Sequence, residues 1–233
     1  MRIYAVIPAR SGSVGLKNKN IKLLGDKPLI AYSIEFAQKL QVDRVFCSTD
    51  SEEYAEIAKK HGAEVPFLRS DEASSSTAME QDILADLYSK FQEHGIEQPD
   101  LFVWLRPTFV FRNLADVKKC IQLLIDNPDF TAARTVCESE SRLYSIIDDE
   151  LIPSFKDGGK SMIRRQDVGI KYKVFSTDII RSANKNTGDD FLGRKVAAVV
   201  TNKLCGLDID DEMDFKIVES IVLNNQDLIH ENT

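Results

Sequence analysis

The sequence predicts an α/β fold in which parallel strands are covered by helices on both faces. Three observations predict it. Short apolar runs alternate with helical patterns through the first half of the chain. Several of those runs are followed by polar loops, where sheets of this kind bind ligands. A length of 233 residues, with 43% hydrophobic and 29% charged residues, fits one large α/β domain or two small ones.

The elements follow in order. Residues 2–7 form an apolar strand ending at Pro8, and a Gly/Ser/Lys/Asn loop runs over 9–20. Pro28 suits the first turn of a helix carrying Leu29, Ile30, Ser33, Ile34, Ala37 and Leu40 at helical spacing. Residues 44–48 read as a second strand. Asp50 with Glu53 resembles a capping box and Gly62 a stop, so 51–61 reads as a helix. An extended segment at 65–67 and a polar loop over 69–76 precede a helix over 77–93. Leu101 to Leu105 is a third apolar strand, 114–125 a helix and 131–137 a strand. Residues 138–171 are polar and irregular, with Pro153, Gly158 and Gly159, and suit an insertion, a lid or an arm that packs on a partner. Strand character returns at 195–201 and 204–209, and 211–223 forms a final amphipathic helix.

Composition excludes several classes. The net charge of −7 argues against nonspecific nucleic-acid binding. Cys47, Cys120, Cys137 and Cys205 lie far apart in apolar stretches, which disfavours a zinc site or redox pair and suits a reducing compartment. No run of about 18 apolar residues is present, and the first residues lack a long leader-like apolar region. The expectation is a cytoplasmic protein with no membrane partner and no nucleic-acid partner.

Five features carry possible chemistry. The loop after the first strand holds Arg10, Ser11, Gly12, Ser13, Gly15, Lys17, Lys19 and Asn20. Its glycines let backbone N–H groups approach an anion, and its cations suit phosphate. A solvated connecting loop has the same composition, and neither dinucleotide nor Walker spacing is present. Asp208 and Asp210 sit at i and i+2; at a strand end they share one face and suit Mg²⁺. Acidic residues opening a helix are the alternative reading. Arg69 with its Ser/Thr loop, Arg106-Pro107-Thr108, and the basic stretch Arg164, Arg165, Lys171 and Lys173 are ligand candidates or solvated charges. His61, His94 and His230 are scattered, which gives no nucleophile–base arrangement.

Taken in order, these segments resemble the acylneuraminate cytidylyltransferases, or CMP-sialic acid synthetases. The resemblance rests on residues 7–16 with Lys19-Asn20, on 27–34, on Ser48-Thr49-Asp50 and on 62–69. Thr77-Ala78, Arg106-Pro107-Thr108 with Arg112, and Asp208-Ile209-Asp210 complete it. It implies a single domain over 1–233: a three-layer α/β/α fold with a mixed, mainly parallel sheet, like nucleotide-diphospho-sugar transferases. A dimerisation arm would map to about 138–173. The implied reaction moves CMP from CTP to the anomeric hydroxyl of a nonulosonic, sialic-acid-like sugar, with Mg²⁺ as cofactor and pyrophosphate released. CTP and a small acidic sugar would be the ligands, and a homodimer the assembly. By this resemblance Arg10, Lys19, Asp208 and Asp210 are catalytic, the two aspartates holding the metal. Ala9, Arg10, Ser13, Gly15, Asn20, Arg69, Thr77 and Ala78 would bind nucleotide. Arg106, Thr108, Arg165 and Tyr172 would bind the sugar.

The chain departs from the family pattern at several places. Val14 stands where Lys is common, Arg106 where the sialate enzymes have Gln, and Glu80 where Ser is expected. Phe109 and Phe111 are also unusual, and an Asn-Gly motif is replaced near Tyr172-Lys173. Arg106 looks more like a legionaminate-type branch than one acting on sialic acid itself. A nucleotidyltransferase for a different acidic sugar, or a nucleotide-binding dimer with little catalysis, stays open as an alternative.

Overall fold

The computed structural model describes residues 1–13, 15–156, 158, 163–174, 176–182 and 190–224. The opening apolar run forms β1 (Ile3–Pro8). After the polar loop a small antiparallel ladder, β2 (Leu23–Leu24) with β3 (Lys27–Pro28), leads into α1 (Leu29–Leu40). Next come β4 (Arg44–Ser48), α2 (Glu52–Lys60), a single turn α3 (Asp71–Ser74) inside the expected loop, and α4 (Glu80–Glu93). β5 (Leu101–Leu105) and α5 (Leu114–Asp126) complete the alternating part. The later chain holds β6 (Ala132–Ser139), β7 (Tyr144–Ile147), β8 (Glu150–Pro153), α6 (Arg165–Val168) and β9 (Lys171–Lys173). β10 (Thr177–Arg181), β11 (Val196–Thr201) and α7 (Glu212–Asn224) follow.

Among the described residues the main sheet runs β11–β6–β10–β5–β1–β4, with β9 also beside β6. β1 pairs in parallel with both β4 and β5, and β11 in parallel with β6. β10 runs antiparallel between β5 and β6, which makes the sheet mixed but mainly parallel.

Strand periodicity sorts the core into two layers. Ala5 and Ile7 of β1, with Leu101, Val103 and Leu105 of β5, face α1 and α5 through Ile34, Ala37, Val117 and Leu124. Tyr4, Val6, Phe102 and Trp104 face the other way onto Leu84, Leu87 and Phe91 of α4. All of β5 is buried, as expected for a strand covered on both faces. A third cluster under α7 joins Leu16, Leu24, Leu29, Phe111, Ile209, Phe215 and Val218.

Four expectations need correction. The strand expected at 204–209 is absent: the Asn202 side chain accepts from the Cys205 amide (3.1 Å) and turns Lys203–Gly206 into a 3₁₀ helix. Residues 207–210 then run on as coil. β10 was not expected, because an aspartate at its second position obscures the strand pattern. Ser51, not Asp50, caps α2 by accepting from the Tyr54 amide. The polar stretch 138–171 contains a regular hairpin, β7–β8, turned by Asp148 and Asp149 at φ 50° and 66°. Two consecutive positive φ values are what a tight two-residue hairpin requires.

Phe91 packs its ring against Phe46 at 4.9 Å and against Tyr4 at 6.2 Å, and is wholly buried. Phe91→Ala is expected to cost about 3–5 kcal/mol, read as a lowered denaturation midpoint. A shift below about 1 kcal/mol would contradict the packing described.

Candidate functional site

The loops that leave the carboxyl ends of β1, β4 and β5 converge on a cavity of about 300 Å³. Arg10, Ser13, Lys19 and Asn20 line it from the first loop, Arg69, Ala78 and Glu80 from the segment after β4, and Arg106 and Thr108 from the loop after β5. Eight of the residues expected to bind nucleotide or sugar, or to act in catalysis, are thus brought together.

The first loop is tethered at several points. The Asp50 carboxylate accepts from the Ser11 amide (2.8 Å) and hydroxyl (2.9 Å), so this residue anchors the loop rather than capping α2. Asn20 Nδ2 donates to the Arg10 carbonyl (3.0 Å), and Arg10 Nη1 donates to the Ser75 carbonyl (2.9 Å). Arg69 is buried and donates from Nε to Ser48 Oγ (3.0 Å) and from Nη2 to the Ser48 carbonyl (2.6 Å). Ala9 is buried, and its amide bonds the same carbonyl at 2.8 Å. The Thr77 hydroxyl lies 3.4 Å from Ser75 Oγ, outside the cavity lining.

The acidic pair reaches this loop from the far end of the chain. The Ile209 amide donates to the Thr108 carbonyl (3.1 Å), and Lys19 Nζ donates to the Ile209 carbonyl (2.7 Å). Lys19 also stands 3.7 Å from Asp210 Oδ1. Gly15 lies against Asp210: a Cβ there would meet its carbonyl oxygen at 2.5 Å, so only glycine allows this approach. Asp211 and Asp214 cap α7 reciprocally, Asp211 accepting from the Met213 and Asp214 amides and Asp214 from the Asp210 and Asp211 amides. Capping therefore falls to Asp211 and Asp214, which answers the helix-start reading of Asp210.

Asp208 is strained electrostatically. Its Oδ1 is buried without a hydrogen-bond partner. Burial first, and then the Asp210 charge, push its carboxyl above the ordinary aspartate range, against the pull of Thr108, Lys173 and Lys19. Lys173, a candidate charge by sequence, is thus a neighbour of Asp208. Among the described residues no three His, Cys, Asp or Glu side chains gather into a metal cage. Two carboxylates with an unsatisfied buried oxygen instead fit a hard cation that takes its remaining ligands from water and substrate phosphate.

Arg106 is the centre of a charged row. Its Nε and Nη2 both contact Glu80 Oε1 (2.9 and 2.8 Å), and its Nη1 contacts Asp178 Oδ2 (2.8 Å). Arg134 Nε takes the other Asp178 oxygen at 2.8 Å. Tyr172 lies on β9, 46% exposed and outside the cavity lining. Arg165 falls on α6, but its side chain lies outside the described residues, as does Val14.

A family model described as cytidylyltransferase matches residues 4–128, more than half of the chain. The chain belongs to the cytidylyltransferase family. The match spans β1 to α5 and leaves the acidic pair outside it. An N-acylneuraminate cytidylyltransferase of Escherichia coli is 34% identical over 226 residues, covering 94% of this chain and 52% of that protein. The chain therefore spans about half the length of that relative. The post-translational flagellin modification protein B of Campylobacter coli is 30% identical over 227 residues, with 94% of each chain covered. A CMP-N,N'-diacetyllegionaminic acid synthase of Legionella pneumophila is 40% identical over 124 residues, 53% of each chain. Among solved structures, a CMP:2-keto-3-deoxy-manno-octonic acid synthetase complexed with CTP superposes with a TM-score of 0.68 at 15% identity, covering 96% of this chain and 99% of that one. This cytidylyltransferase-family chain thus shares its fold, three-layered and mainly parallel.

The Asp208 shift makes a prediction. A carboxyl whose pKa is higher folded than unfolded withdraws stability as pH rises from about 4 through the raised value. Asp208→Asn removes the charge and is expected to melt higher than the parent at pH 7 without ligand, with a flatter dependence on pH across that window. A lower melting temperature at pH 7 would contradict the unsatisfied-carboxylate account.

Proposed function

We propose that the protein transfers CMP from CTP to the anomeric hydroxyl of a nonulosonic, sialic-acid-like sugar and releases pyrophosphate. The observation that carries the reading is that the Arg10–Lys19 loop lines the cavity while the Asp208–Asp210 segment, outside its lining, is held against two of the lining residues, Lys19 and Thr108. Relatives named for sialic, legionaminic and pseudaminic acid support the substrate class.

In this reading attack by the sugar hydroxyl on the α-phosphorus breaks the bond to the β-phosphate oxygen. Negative charge then builds on the phosphate oxygens and the leaving pyrophosphate. Arg10 and Lys19 supply preorganised positive potential for that charge. Lys19 is already oriented by the Ile209 carbonyl, so little reorganisation is needed. Arg69 and Ala78 line the end of the cavity assigned to the base, and Asn20 fixes the Arg10 backbone. Asp208 and Asp210 would hold Mg²⁺, which when bound lowers the pKa of a coordinated hydroxyl and screens phosphate charge. Among the described residues lining the cavity there is no histidine, and the reading needs no imidazole base.

The reading extends to a homodimer. The β7–β8 hairpin exposes Ile146 (76%), Ile147 and Leu151, with Leu143 beside it. An apolar hairpin of this kind suits burial against a second copy of the chain. Sedimentation is expected to give a dimer at micromolar concentration, and Ile146→Glu a monomer; a monomeric parent would contradict the arm.

The direct test is pyrophosphate release from CTP and Mg²⁺ with sialic, legionaminic, pseudaminic and 2-keto-3-deoxy-octonic acids, and with no sugar. Release with one nonulosonic acid is expected. Asp208→Asn and Asp210→Asn should each cut the rate by more than the roughly 10–100-fold typical of an outer-shell change. Release only with an acidic sugar outside this class would replace the substrate assignment.

A further inference from the structure

Glu80 opens α4 and faces the cavity with its side chain 31% exposed, whereas its partner Arg106 is 14% exposed. The Arg106 contacts converge on one Glu80 oxygen, and behind Arg106 stand Asp178, fully buried, and Arg134. The row alternates in sign, acid and base twice over, and is neutral as a whole. Its cavity end is a carboxylate.

A bare carboxylate would oppose both proposed reactants, since a nucleoside triphosphate and an acidic sugar are anions. Once Arg106 neutralises it, the repulsion falls while the oxygens stay strong acceptors. A carboxylate is acceptor-only, so the complementary group on a ligand is a donor. Ring hydroxyls are the donors that both reactants share.

We propose that Glu80 is a substrate-binding residue whose carboxylate, positioned by Arg106, accepts hydrogen bonds from ring hydroxyls of a bound reactant. This rests on the cytidylyl-transfer reading. The ribose hydroxyls of CTP and the hydroxyls of the acidic sugar are two sources of the same chemistry. Arg106 on this account acts through Glu80, and its guanidinium is not the primary receptor for the sugar carboxylate.

The test uses the full chain, with Glu80→Gln, Glu80→Ser, Arg106→Gln and the Glu80→Gln/Arg106→Gln double variant. In the nucleotide arm, binding of CTP and of 2′,3′-dideoxyCTP is measured by calorimetry. In the sugar arm, kcat/KM is measured for an acidic sugar the parent accepts and for analogues of it lacking single hydroxyls. Glu80→Gln is expected to weaken use of the intact ligand roughly 10-fold, the size of a lost hydrogen bond to a charged group, and to leave one deoxygenated analogue unaffected. The arm in which that occurs identifies the source. Arg106→Gln should impose the same discrimination, and the double variant should lose less than the two singles combined. A purely structural Glu80 would weaken intact and deoxygenated ligands alike in both arms, which would overturn the proposal, as would additive losses for its coupling to Arg106. A parent that binds CTP but transfers to no acidic sugar would overturn the proposed reaction and leave the nucleotide arm fully readable.

Discussion

The backbone of Ile209, through its amide and its carbonyl, ties together the two loops on either side of the acidic pair. Its amide is bound by the loop after β5 through Thr108, and its carbonyl by the loop after β1 through Lys19. Its side chain is fully buried under α7 among Leu16, Phe111 and Phe215. A hydrophobic anchor flanked by two aspartates fixes both carboxylates by burying the residue between them. Asp208 is left partly desolvated as a consequence, which is the source of its raised pKa. Gly15 completes the arrangement, because any side chain there would push the Asp210 carbonyl away.

Buried charge elsewhere is handled by a different device. Arg69 gives two of its donors to Ser48, and Arg112, fully buried, donates to the Arg106 carbonyl (2.6 Å) and to Thr177 Oγ1 (3.2 Å). Burial pushes the Arg112 guanidinium down to about 9. These arginines brace loops with directional donors, and their charge is a cost the surrounding core absorbs. Arg106 differs, because two carboxylates meet it and the charge itself is used.

Much of this was legible from sequence. β1, β4, β5 and the helices between them carry clean periodicities, and their loops carry the polar residues that meet at the cavity. What escaped depends on partners distant in the chain. β10 reads poorly because Asp178 interrupts it, and only Arg106 and Arg134, both far off in sequence, make an aspartate tolerable inside a sheet. Its paired Ile179 and Ile180 were the available signal. The alternating Leu207 and Ile209 suggested a strand, but no sheet edge receives them; they pack into the cluster under α7 instead. Asp50 resembled a helix cap because Ser51, one residue on, was the true one, and its contact to Ser11 spans 39 positions. Glu80 and Arg106 read as separate departures in sequence because 26 positions separate side chains that meet only in the fold.

The contact between Lys19 and Ile209 joins positions 190 residues apart. During synthesis the residues of the loops after β1, β4 and β5 emerge well before the acidic pair. Closing so long a separation is among the slower steps available to a folding chain. The cavity and the acidic pair are therefore separated in the order of manufacture: a growing chain possesses the walls of the pocket well before it possesses the two carboxylates held beside Lys19.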